Sequence, residues 1–130
     1  KHGNRGVSSP SGASDLLAAL GVDIAPRKAL IEPTCMGSIH KHTYHKDGQN
    51  KSILLFVNPE SYSERNHITL KISYDDGKTW PENKKILLDE YNGRGYSCIT
   101  SVNENTIGIL YESSQADMVF QQIKLEELLP

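Results

Sequence analysis

The stretch SYDDGKTW, Ser73 to Trp80, sets two adjacent carboxylates, hydroxyls, a glycine and the chain's single tryptophan within eight positions. Three kinds of chemistry suit such a set: a cation held by oxygen ligands, a carboxylate pair in acid–base work, or a turn that satisfies its own backbone. A calcium loop needs oxygens at regular intervals, as in DxDxDG, and here only Asp75 and Asp76 precede Lys78. The turn fits residue by residue. Ser73 ends a strand, Asp75 accepts from N–H groups across the loop, Gly77 takes a positive φ, and Trp80 folds its ring back over the turn.

Other residues invite chemistry less strongly. His40, His42 and His45 lie within six positions, the first two on one face of a strand, but no further ligand follows at a zinc spacing. They read as surface histidines, with no metal. Cys35 and Cys98 are far apart and in no redox or zinc spacing, which makes them buried thiols. Glu112 ends the apolar run TIGILY, an odd place for a charge unless it meets a cation.

The elements that must position these groups are short strands. IHKHTY, an Asp-Gly turn in KDGQN, and SILLFV make a hairpin. HITLKISY alternates, with Ile68, Leu70 and Ile72 on one face and Thr69, Lys71 and Ser73 on the other, as a half-buried strand does. KKILLDE, GYSCITSV, TIGILYES and MVFQQIKL follow, in the spacing of an all-β sandwich or propeller. LEELLP adds one terminal helical turn. Before residue 28 the pattern breaks: a Ser/Pro/Gly cluster marks a flexible lead-in, the alternative being a short helix through LLAAL capped by Ser14 or Asp15 and closed by Gly21.

With 130 residues, 37% hydrophobic and 23% charged, the chain makes one globular domain. A formal charge of −2 without like-charge blocks gives no footprint for nucleic acid. No apolar run reaches the ~20 residues of a membrane span, and KHGNRG is no signal peptide. Either the protein is cytosolic or its beginning is missing; the cysteines do not settle the compartment.

S-x-D-x-G-x-x-W is also the Asp-box, the repeated turn of sialidase propellers and of several unrelated ones, so alone it marks a blade. Its surroundings say more. LLFVNPESYSERNHITLKISYDDGKTW, followed by GYSCITSVNENTIGILYE, resembles the C-terminal half of bacterial exo-α-sialidases, and ALIEPTCMGSI resembles the segment entering the preceding strand. The resemblance covers residues 28–130. It implies a partial six-bladed β-propeller of about two to three blades, a sialylated glycoconjugate as substrate, no cofactor, and a secreted or periplasmic parent enzyme.

It also implies roles. Sialic acid carries a carboxylate on its anomeric carbon, which guanidinium matches bidentately. Arg65, in the frame NP…R-N-x-x-T-L, stands where the family has the last arginine of its substrate-binding triad. An ionised Asp or Glu nucleophile would be repelled by that carboxylate, and sialidases use tyrosine instead. Tyr96 of GYSCIT occupies the nucleophile position, and Glu112, sixteen residues on, that of the glutamate holding the first triad arginine. Arg5 in HGNRGV resembles the second triad arginine. After it, however, Pro10 stands where the Asp-box serine should fall, so residues 1–27 read as a divergent or flexible segment, or foreign sequence.

The first triad arginine, the acid/base aspartate and the glutamate that activates the tyrosine belong to earlier blades. A tyrosine hydroxyl without such a base ionises near ~10. The chain thus reads as a C-terminal fragment of an exo-α-sialidase, inactive until the missing N-terminal blades close the propeller. Two rivals are a non-catalytic Asp-box module binding carbohydrate or protein, and a structural repeat. The structural repeat predicts Arg65 and Tyr96 far apart or on opposite faces, whereas the enzyme reading needs them to converge; another residue type at either position in full-length relatives would favour the binding module.

Overall fold

The structure is a computed structural model, and it describes residues 30–130. Among the described residues seven strands form two antiparallel sheets. The first contains β1 (Ser38–Lys46), β2 (Gln49–Pro59), β3 (Ile68–Ser73) and β4 (Lys85–Asp89), in that order. The second contains β5 (Ser97–Asn103), β6 (Thr106–Tyr111) and β7 (Val119–Lys124), again in order, and α1 (Leu125–Leu128) follows. Each sheet is a plain meander with no strand crossing over. That is the connectivity of propeller blades rather than of a Greek-key sandwich, and the described residues supply one four-stranded unit and one of three strands.

Turn chemistry fixes the registers. Asp47 and Gly48 both take positive φ, 54° and 73°, as a two-residue hairpin turn between β1 and β2 demands. Ile53, Leu55 and Val57 of β2 and Ile68, Leu70 and Ile72 of β3 share one face, and they meet Ile99, Ile107, Ile109 and Ile123 of the second sheet. Each such side chain contributes about 1.5–3 kcal/mol on burial. This core holds the sheets face to face.

The half-buried assignment of HITLKISY is corrected, because all six residues of β3 are buried. Its second face is closed by the tryptophan of the turn. Trp80 is buried and meets Phe56 edge-on at 6.2 Å, while Lys71, fully buried, lies 5.6 Å from the Phe56 ring. Lys71 Nζ donates to Asn58 Oδ1 at 2.5 Å and sits 3.9 Å from Glu60 Oε1, which also pairs with Lys85. A lysine survives there because a carboxylate and an amide oxygen receive its charge. Its pKa is still lowered from 10.5 to about 8, by burial first, with Glu60 opposing.

SYDDGKTW folds as a self-satisfied turn. Asp75 Oδ1 accepts from Ser73 Oγ at 2.8 Å and from Thr79 N at 2.9 Å, and Oδ2 accepts from Thr79 Oγ1 at 2.6 Å. Gly77 adopts φ 88°, its N–H donating to Ser73 Oγ, and Trp80 Nε1 donates to the Gly77 carbonyl at 3.1 Å. The bonds from Thr79 and then Ser73 hold the Asp75 carboxyl at a pKa of about 2.

Two further expectations are corrected. His42 is buried, not on the surface, because β5 packs over β1 at that point. The cysteines are not buried thiols: Cys98 faces away from the first sheet and is exposed, and Cys35 is half-buried in an irregular segment. The helix proposed around LLAAL lies outside the described residues, as does Arg5.

Candidate active site

Arg65 projects from the loop between β2 and β3. That loop is pinched at its base, where Glu60 N donates to the His67 carbonyl at 2.9 Å, and it is tied to the next loop by Gly93 N donating to the Arg65 carbonyl at 3.0 Å. Two carbonyls from elsewhere in the chain fix the guanidinium. Nη1 donates to Arg94 O and Nη2 to Thr34 O, each at 3.0 Å. Among the described residues no carboxylate pairs with it, so the remaining donors of the five-donor fork can receive an anion.

Tyr96 enters from the loop before β5. Its ring lies under the Arg65 guanidinium, with Arg65 Cζ 5.1 Å from the ring centroid, and the side chain is 43% exposed. The approach depends on Gly95, which takes φ 82°. A Cβ there would come within 2.9 Å of Pro59 Cγ and 3.2 Å of both Arg65 Cβ and Cys35 Sγ. Glycine alone lets the three segments close.

Glu112 follows directly on β6. Its N–H donates to the Tyr96 carbonyl at 2.9 Å, and its Oε2 accepts from Tyr96 N at 3.4 Å, so two reciprocal contacts clamp the tyrosine backbone. Within the described residues its partner is thus this N–H rather than a guanidinium. The structure therefore brings Arg65, Tyr96 and Glu112 together.

Two residues of this region went unassigned in the sequence. Cys35 stands beside Arg65; burial pushes its thiol pKa up, while the guanidinium pulls it down. No spacing announced it. Asp89 accepts from Ser113 Oγ at 2.8 Å, Ser114 N at 2.7 Å, Ser114 Oγ at 2.6 Å and Tyr91 N at 3.1 Å, joining the loops that carry Tyr96 and Glu112. Those donors hold its carboxyl below the usual range against the opposing effect of burial. The signal was present: like Glu112, Asp89 is a carboxylate closing an apolar strand, KILLD. No group of three or more histidine, cysteine or acidic side chains able to hold a metal occurs among the described residues.

The chain is 45% identical over 103 residues to a sialidase of Bacteroides fragilis strain YCH46, a match spanning 79% of this chain and 19% of the relative. The Hadza microbial sialidase Hz136 superimposes with a TM-score of 0.73 at 42% identity, over 83% of this chain and 21% of that one. The matched residues are a bacterial sialidase-family region. They match a C-terminal region, and the two open sheets are part of a sialidase propeller. The chain spans about a fifth of the length of these sialidases. No protein-family model matches it.

A second group of relatives is of another kind. Anthranilate phosphoribosyltransferases match stretches of 32 to 54 residues, and that of Anaeromyxobacter sp. strain Fw109-5 is 62% identical over 32, which is 25% of this chain and 10% of the relative. Among the described residues no helix is long and apolar enough to cross a membrane.

Proposed function

We propose that residues 28–130 are the C-terminal blades of an exo-α-sialidase that hydrolyses terminal α-linked sialic acid from glycoconjugates with retention. The observation that carries this reading is the Arg65 guanidinium 5.1 Å over the Tyr96 ring. A glycosyl unit whose carboxylate rests on the free donors of Arg65 has its anomeric carbon within reach of a phenol beside it. In the first step Tyr96 Oη bonds to that carbon, its proton passes to a base, and the glycosidic C–O bond breaks as an acid gives its proton to the leaving oxygen, releasing the alcohol. Water then displaces the tyrosine. Glu112 holds the Tyr96 backbone during attack.

The base, the acid and two further cations of such a site are not supplied by this region, so the isolated chain does not turn over. The test is a fluorogenic sialoside assay on the chain alone and on a full-length protein carrying it. Turnover by the full-length protein only supports the reading, and turnover by the isolated chain removes the account of the missing groups.

The phosphoribosyltransferase relatives favour a second reading for the N-terminal segment alone. The 103-residue sialidase match leaves 27 of the 130 residues over, and the phosphoribosyltransferase matches, 32 residues or longer, exceed that remainder and run into the sialidase match. We read residues 1–27, with a few positions beyond them, as sequence of phosphoribosyltransferase kind joined to the sialidase region, and on that reading Arg5 belongs to no sialic acid site.

A further inference from the structure

Away from Arg65 and Tyr96, one hydroxyl is gripped by two imidazoles where the sheets meet. Ser101 Oγ of β5 lies 2.7 Å from His42 Nδ1 and 2.7 Å from His40 Nε2, both on β1. The other nitrogen of His42, Nε2, lies 2.9 Å from the Glu104 carbonyl. That carbonyl fixes the direction of every bond in the chain. It can only accept, so His42 Nε2 carries the hydrogen, and the neutral form of the ring offers Nδ1 as a lone pair. Ser101 O–H therefore donates to His42, and His40 Nε2–H donates to the Ser101 oxygen.

This order is that of a nucleophile, its base and an orienting acceptor. The base is held still: His42 is 1% exposed and stacks on Tyr44 with ring centres 6.2 Å apart and planes 11° from parallel. Ser101 itself is exposed, so a reagent can reach its oxygen. Burial, with His42 adding to it, lowers the pKa of His40 and favours the neutral donor.

We propose that Ser101 is a nucleophilic hydroxyl, with His42 as its general base and the Glu104 carbonyl orienting that base, which takes acyl groups from small activated esters. Ser101 Oγ bonds to the ester carbonyl carbon as its proton passes to His42 Nδ1. The carbon–oxygen bond to the leaving group breaks, and the leaving oxygen takes the proton from His42. Water, deprotonated by His42 in turn, releases the carboxylic acid and restores the serine. His40 Nε2–H supplies a hydrogen bond beside the reacting oxygen. The assignment shares no residue with the glycosidase reading and does not rest on it.

The full chain is incubated with para-nitrophenyl acetate and, separately, with a fluorophosphonate probe, and the modified residue is mapped by peptide mass. The expected result is a single label on Ser101, absent from Ser101→Ala and formed at least about tenfold more slowly in His42→Gln. Where His42→Gln does not fold, the comparison is between native and urea-unfolded wild type, and the label must form faster on the native chain. Labelling unchanged by Ser101→Ala, equal labelling of native and unfolded chain, or no label overturns the assignment.

Discussion

The Arg65 guanidinium is anchored to two main-chain carbonyls, yet its carbon still lies 5.1 Å from the centre of the Tyr96 ring. The cation is thus placed by backbone behind it and presented, with donors to spare, beside a half-exposed phenol. Predictions about the site follow from that division between anchoring and presenting.

Tyr96→Phe separates chemistry from stability. The Tyr96 hydroxyl has no hydrogen-bond partner among the described residues, so unfolding in urea should change by no more than about 0.5 kcal/mol. In a full-length sialidase carrying this region, kcat should fall about a hundredfold or more. A kcat within about twofold of wild type removes Tyr96 from the bond-making step.

Arg65→Met acts on both. Losing the bonds to Thr34 O and Arg94 O should destabilise the chain by about 1–3 kcal/mol, read from the urea midpoint. In the full-length enzyme KM should rise as the carboxylate loses its fork. An unchanged KM would mean that the anion rests elsewhere.

Lys71 gives a pH signature. Its pKa falls from 10.5 unfolded to about 8 folded, so the unfolded chain holds the proton more tightly. Its stabilising contribution is full above about 10.5 and is lost as pH drops through this window to about 8, at most about 3 kcal/mol in all. Lys71→Met should remove that slope and match or exceed wild-type stability at neutral pH, because the buried charge no longer needs compensation. Urea midpoints of both proteins at about pH 7.5 and about pH 10 decide this, with the wild type gaining on the variant as pH rises.

Acid tests the Asp-box turn. The Asp75 carboxyl has a pKa of about 2, through hydrogen bonds from Thr79 and then Ser73, against 3.8 unfolded. Its contribution is present above the unfolded value and is lost as pH falls towards about 2. Asp75→Ala should weaken the fold at neutral pH and flatten its acid titration. Gly77→Ala, at φ 88° with a Cβ 3.2 Å from Leu54 Cδ2, should cost about 1–2 kcal/mol by urea unfolding.

Deleting residues 1–27 tests whether the chain is two joined pieces. The β circular-dichroism spectrum should persist and Tm should move by less than about 4 °C. A collapse of the β signal would mean that the segment is integral to the sialidase region.

The strands and the turn were legible because they are set by short-range rules: alternation in HITLKISY, Asp-Gly at 47 and 48, and the donors of SYDDGKTW. What escaped was set by packing between distant segments. Alternation cannot report that Trp80 and Phe56 close the second face of β3, nor that β5 covers His42 and leaves Cys98 exposed. At the site, Arg65 and Tyr96 were readable from their family frame, but no spacing in a single chain predicts the Thr34 and Arg94 carbonyls that aim the guanidinium. Asp89 was readable on the same argument as Glu112.

Those two carbonyls have a practical consequence. The grip on Arg65 comes from peptide oxygens at positions 34 and 94, which every amino acid supplies alike. The side chains there are therefore free variables, and a mutant library at these two positions can reshape the surface beside Arg65 while leaving the cation where it stands. Position 95 offers no such latitude, since any carbon added to it drives Pro59, Arg65 and Cys35 apart.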